Sequence, residues 1–227
     1  MNLILHNRIK MKIMSALAFI TSLAILTSSC GQTNTQFNNM NETTIPAGVK
    51  TDTATFATGC FWCTEAIFQR LKGVYKTISG YSGGHVANPS YEEVCTGNTG
   101  HAECLQIIYD PKIISYDELL EVFWESHDPT TLNRQGNDVG TQYRSAVFYH
   151  NEEQKLKAEH YKTELDKSKA YDKPIVTEIT AFTNFYPAEN YHQNYFNTHG
   201  SQPYCSFVIR PKVEKFEKVF KNKLKQQ

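Results

Sequence analysis

Residues 51 to 71 change their apolar period within one turn. Thr51 to Thr58 reads as a strand, Gly59 as a turn, and Cys60 to Leu71 as a helix with Ala66, Ile67 and Leu71 on its apolar side. With the strands and helices that follow, this points to a layered α/β or α+β domain. The junction also sets Cys60 at a helix opening, where unpaired N–H groups and the helix dipole favour negative charge. A thiol of pKa about 8.5 can fall to roughly 3.5–7.5 in such places. The dipole alone is worth about 0.3–1 kcal/mol in exposed geometry, or about one pKa unit at most. Further activation needs hydrogen-bond donors or substrate.

Cys63 follows one helical turn later, at a spacing that allows a disulfide with Cys60. Phe61 and Trp62 between them suggest a small apolar pocket beside the thiol. By itself a C-x-x-C at a strand-to-helix turn has three readings: a redox dithiol, half of a metal site, or packing. Zinc would need two more ligands, which Cys95, His101 and Cys104 could supply, although 101 and 104 form no tight knuckle.

Along the rest of the chain, Val74 to Tyr81 reads as a strand and Pro89-Ser90 as the start of a short helical turn through Val94. Ala102 to Tyr109 is a strand. Ser115-x-x-Glu118 is a capping box opening a helix to about Trp124. Asp128 to Gln142 is a long polar loop of the kind that often carries function. Ser145 to Tyr149 and Ile175 to Phe182 read as strands, with a charged helix capped by Asn151 between them. Glu189 to Phe196 is read as helical. Val213, Phe216, Phe220 and Leu224 mark a last amphipathic helix whose lysines form a solvated face.

The N-terminus reads as an address. Arg8, Lys10 and Lys12 precede an apolar run from Ile13 to Leu26, too short for a membrane span of roughly 20 residues. Thr27-Ser28-Ser29-Cys30 resembles a bacterial lipoprotein signal, with Cys30 as the lipidated residue and Leu26 one place further back than the usual pattern wants. The expected division is a signal peptide over 1–29, a flexible tether over 30–50 and a catalytic domain over 51–227. The chain has 23 basic and 23 acidic residues. Removing 1–29 takes away three bases and no acids and leaves a net charge of −3. That balance argues against a nucleic-acid partner. With 40% hydrophobic and 20% charged residues, global disorder is excluded. All four methionines lie at or before Met40, so the expected catalytic domain contains none.

Several longer motifs stand in order: Gly59-Cys60-Phe61-Trp62, Gly80-Tyr81-Ser82-Gly83-Gly84, Asn88-Pro89-Ser90-Tyr91-Glu92-Glu93-Val94-Cys95, Thr99-Gly100-His101-Ala102-Glu103, the run from Gln135 to Ser145, and Gln202-Pro203-Tyr204-Cys205. Together they resemble peptide methionine sulfoxide reductase of the A class over roughly residues 55 to 215. The fold expected is α+β: a two-layer α/β sandwich, with helices packed on a ferredoxin-like mixed sheet. The activity implied is thiol-dependent reduction of methionine S-sulfoxide. The resemblance implies no bound cofactor or metal, and recycling by a thioredoxin-like dithiol. A monomer anchored by lipid and facing the periplasm is expected, repairing oxidised exported proteins.

Reducing a sulfoxide requires attack on its sulfur and removal of its oxygen, which is a poor leaving group unless protonated. Cys60 matches the family nucleophile, and Phe61 and Trp62 its methyl pocket. Glu103 matches the family acid. Period two places it on the face of Leu105, Ile107 and Tyr109, where desolvation would raise its pKa; the plainer reading is a strand-end glutamate reaching solvent. Tyr91 and Tyr143 match tyrosines that hydrogen-bond the sulfoxide oxygen. Asp138 matches a residue that orders the site, against a plain turn-forming role. Many family members carry glycine where this chain has Cys63. Cys63 is the nearest candidate to resolve a Cys60 sulfenic acid, Cys205 is the second, and a relay from one to the other is open. Cys95 and Cys104 are expected to be structural. Two other functions remain as alternatives: a thioredoxin-like dithiol exchanger and a cysteine-ligated zinc module.

Overall fold

The computed structural model describes residues 45–226. The expected signal peptide and Cys30 lie outside the described residues, as does most of the tether. Six strands form a mixed sheet: β1 (Asp52–Thr58), β2 (Val74–Ser82), β3 (Ala102–Tyr109), β6 (Ser145–Tyr149), β7 (Glu178–Ala181) and β8 (Tyr186–Pro187), in the order β7-β6-β1-β3-β2-β8. Every neighbouring pair is antiparallel except β6 and β7. Two short strands, β4 (Arg134–Gln135) and β5 (Asp138–Val139), make a separate hairpin.

Alternation of side chains decides which face the helices cover. Phe56, Leu105, Ile107 and Val147 point into the main core with Ile67, Leu119 and Phe123. These last three come from α1 (Phe61–Phe68) and α3 (Tyr116–Ser126). The opposite face carries Ala57, Cys104, Ala146 and Phe148 under Phe182 and Phe185. The result is the α+β two-layer sandwich that the sequence led us to expect. Both Ser90, ahead of α2 (Tyr91–Cys95), and Ser115, ahead of α3, form reciprocal capping boxes with the glutamate three residues on. Asn151 caps α4 (Glu152–Lys167) by accepting from the Gln154 N–H at 2.9 Å.

The register collects four chain segments at one end of the sheet. Phe56 lies opposite Leu105, Tyr81 opposite Glu103, and Thr58 opposite Ser145. The exit of β1 into Cys60, the entry of β3 at Glu103, the exit of β2 and the approach to β6 through Tyr143 therefore meet there.

Several elements differ from expectation. The first helix stops at Phe68, and Leu71 instead bridges to Leu224. The strand at 175–182 narrows to β7. The segment 189–196 is broken by Asn194 in the left-handed region (φ 55°): a 3₁₀ turn, Asn190–His192, comes before it and α5, Tyr195–Thr198, after it. The last helix, α6 (Arg210–Val219), follows a π turn at Cys205–Ile209 and ends before Leu224. The polar loop at 128–142 contains the β4–β5 hairpin.

Candidate active site

Gly59 makes the junction between β1 and α1 with φ +91°. A Cβ there would sit 2.6 Å from the Gln135 Cβ, so both conformation and space require glycine. Thr64 steadies the helix opening. Its hydroxyl donates to the Cys60 carbonyl at 3.2 Å and lies 2.7 Å from the Thr58 hydroxyl.

Glu103 reaches this opening from β3. Its carboxylate accepts the Phe61 N–H at 3.0 Å, immediately beyond Cys60. The residue is buried, and burial outweighs that single hydrogen bond and pushes the carboxyl up to about 8; the negative charges of Asp138 and Cys63 act in the same direction. Glu103 is therefore largely protonated at neutral pH. It does not reach solvent as a strand-end glutamate would.

The expectation for Cys60 needs correction. The residue is 7% exposed, and burial pushes its thiol well above the ordinary value, with Cys63 and Glu103 adding to the rise. Desolvation outweighs the lowering expected from a helix opening. The Cys63 thiol is lowered to about 7, chiefly by the Cys60 S–H donating to it; burial opposes this, and the nearby Lys212 ammonium adds to the lowering. Both cysteines are free thiols.

Around the sulfur, Phe61 is fully buried against Tyr81 and His192. Trp62 stacks flat on Tyr195, with centroids 3.8 Å apart and planes at 8°, and its indole N–H donates to His192 Nδ1 at 3.2 Å. Tyr91 packs on His192 at 4.4 Å, and both Tyr91 and Tyr143 lie within electrostatic reach of Glu103. Burial holds both phenols in the neutral, donating form. Asp138 is tied to the site through Tyr204, whose hydroxyl donates to Asp138 Oδ2 at 2.7 Å. A thiol, a protonated carboxyl, two phenolic donors and an aromatic wall thus share one end of the sheet. Such a set can attack a polarised sulfur, protonate an oxygen on it and seat an apolar methyl group.

A family model described as peptide methionine sulfoxide reductase matches residues 52–224. The chain belongs to the peptide methionine sulfoxide reductase family. It is an oxidoreductase acting on sulfur, and its reaction is the reduction of methionine sulfoxide to methionine. Similar relatives include peptide methionine sulfoxide reductases MsrA of Saccharolobus solfataricus, 58% identical over 77% of this chain and 97% of that protein, and of Thermus thermophilus, 55% identical over 76% and 97%. Among solved structures it resembles reduced Mxr1 from Saccharomyces cerevisiae, with TM-score 0.64 and 36% identity over 71% of this chain and 95% of that one. It also resembles methionine sulfoxide reductase A of Corynebacterium diphtheriae, with TM-score 0.60 and 38% identity over 66% and 75%.

For this reductase, sequence reasoning singled out Cys60, Phe61, Trp62, Cys63, Tyr91, Glu103, Asp138, Tyr143 and Cys205, and the structure gathers all of them at or beside the opening of α1. Cys205 is fully buried in the cluster that holds Cys60 and Cys63. Cys95, expected to be structural, is exposed at the rim beside Tyr91. Cys104 is buried on the far face, its thiol donating to the Gly80 carbonyl at 3.6 Å. The residues weighed for zinc do not converge, since the His101 ring nitrogens are taken up by the Gly84 N–H and the Val86 carbonyl.

His192, Tyr195, Tyr204 and Lys212 were missed. Tyr204 had a signal, its place in the Gln202–Cys205 motif. His192 and Tyr195 lay in a stretch read only as a helix. Lys212, just before Val213, carried no signal of its own. Glu65 was missed too: buried on α1, it accepts the Asn194 N–H at 2.7 Å and so ties the segment carrying His192 and Tyr195 to the helix of Cys60. Burial pushes its carboxyl up to about 7.

Proposed function

We propose that the chain reduces the S epimer of methionine sulfoxide in exported proteins, and the free amino acid less well. Cys60 attacks the sulfoxide sulfur while Glu103 protonates the oxygen, which Tyr91 and Tyr143 hold by hydrogen bonds. Phe61 and Trp62 seat the methyl group, and Asp138 orders the site through Tyr204. The oxygen passes to Cys60 as a sulfenic acid and methionine leaves. A second thiol then condenses with the sulfenic acid, releasing water and forming a disulfide. Cys63 is the first resolving thiol, and Cys205 can take the disulfide on. An external thioredoxin-like dithiol then reduces it by exchange. The carrying observation is the buried, protonated Glu103 within one residue of Cys60.

The test is dithiothreitol-driven turnover of separated sulfoxide epimers. Reduction of the S epimer alone is expected; equal rates on both would end the proposal. Cys63→Ser should permit one turnover and slow thioredoxin-driven recycling sharply. Unchanged recycling would transfer the resolving role to Cys205.

The address is part of the same proposal. Residues 1–29 direct export, Cys30 carries lipid, 30–50 tether the catalytic domain of 51–227 to a membrane, and the enzyme works there as a monomer. The pattern from Arg8 to Cys30 supports this. Mass spectrometry of the mature N-terminus should find a diacylglyceryl thioether on Cys30; an unmodified thiol there would refute the anchor.

A further inference from the structure

Lys212 stands on the first turn of α6, half-buried, with its Nζ 3.8 Å from Cys63 Sγ. Packing of α6 against α1 turns it inward. We propose that Lys212 is a positioning residue that keeps Cys63 in the thiolate form, and that it thereby makes Cys63 rather than Cys205 the first sulfur to resolve the Cys60 sulfenic acid. The proposal rests on the reading of Cys60 as the oxygen acceptor.

The surroundings of Cys63 leave this role to Lys212. From α1, the Cys60 S–H donates to Cys63, but only before turnover. Once Cys60 bears the oxygen, that thiol proton is gone. Tyr204 lies 4.0 Å from Cys63 Sγ, but its one hydroxyl proton is committed to Asp138 at 2.7 Å. From β5 and β3, Asp138 and Glu103 face the same sulfur as acids, and a negative charge on either opposes a thiolate. The Lys212 ammonium is the group whose attraction persists through the sulfenic acid stage. Cys205 has no such help at the sulfur: burial pushes its thiol up, the Cys63 charge adds to the rise, and Arg210 only partly offsets it.

The chemistry is a condensation. The Cys63 thiolate attacks Cys60 sulfur, the S–S bond forms and the S–O bond breaks, and the oxygen takes up a proton and leaves as water. The sulfenic sulfur is reduced and Cys63 is oxidised. The rate follows the thiolate fraction but also the intrinsic nucleophilicity, which grows as thiol pKa rises with a Brønsted slope of about 0.4–0.5. Removing the charge should therefore lower the rate at acid and neutral pH and raise the alkaline plateau. For a shift of one pH unit, both changes are about threefold. Loss of packing would lower both limbs together.

The test uses single turnovers of the reduced full-length enzyme, following methionine release and the Cys60–Cys63 disulfide by rapid quench, alkylation and mass spectrometry across pH. Lys212→Met and Lys212→Gln should release methionine as the native enzyme does. Their midpoint for disulfide closure should move up by about one pH unit, with profiles that cross the native one, and Lys212→Arg should restore the native midpoint. Ultraviolet titration of the Cys63 thiolate should show the same shift. Superimposable profiles in both neutral variants, or a uniform slowing without a midpoint change, would overturn the proposal. Failure of the native enzyme to release methionine would instead overturn the underlying reading of Cys60.

Discussion

Cys60→Ser should leave a folded protein that no longer reduces methionine sulfoxide, with turnover down on the order of a thousandfold or more. The loss follows from the reaction itself. The step transfers oxygen from one sulfur to another and later displaces it as water, and a serine hydroxyl can do neither. Cys63, one turn further along α1, cannot take over the first step. The Glu103 carboxyl accepts from the N–H next to Cys60, so the acid is aimed at that end of the helix. The fold should survive, because serine is close to cysteine in size and the Cys60 backbone carbonyl keeps its bonds from Cys63 N and Thr64 N. The measurement is methionine formed from the S-sulfoxide peptide, paired with a thermal melt. Substantial turnover in a folded variant would exclude Cys60 as the attacking group.

Glu103→Gln should cost about 10²–10⁴-fold in kcat/KM, the usual worth of a positioned general acid. The amide oxygen can still accept the Phe61 N–H, so the helix opening is preserved and the loss reports the proton. The pH dependence makes the test sharper. Burial raises Glu103 to about 8, so the acid form dominates below that pH and is lost as pH climbs through it. The native enzyme should therefore show an alkaline fall in kcat/KM near pH 8 that the variant lacks. Stability moves in the same sense. The folded state keeps this proton while the unfolded chain releases its own near 4.5, so stability falls as pH rises from about 4.5 to 8. The variant should lose Glu103's share of that slope in denaturant titrations at several pH values. A retained alkaline limb would assign the proton to another group.

The elements that sequence placed well are those with local causes. Ser115 and Glu118 announced α3 because the capping box is closed by residues three apart. The strand Ala102–Tyr109 was legible from its period of two, which sets Glu103 on one face with Leu105, Ile107 and Tyr109. What went wrong had non-local causes. Leu224 looked like the next ridge of the final helix, yet it leaves the helix to pair with Leu71, a partner about 150 residues away. Tyr186–Pro187 was unreadable as a strand, since two residues carry no period and only the edge of β2 made it one.

By itself the sequence determined the chemistry on offer: a cysteine after a strand and a glycine, a second thiol one turn away, a glutamate on an apolar strand face, and the family to which their motifs belong. Tertiary structure decided the protonation states and the company those groups keep. Burial, a property of many segments packed together, holds Glu103 protonated and lifts Cys60, against the lowering that a helix opening alone suggests. The approach of α6 puts the charge of Lys212 against Cys63. Ionisation depends on what surrounds a group in space, and neighbours distant in sequence supply most of those surroundings.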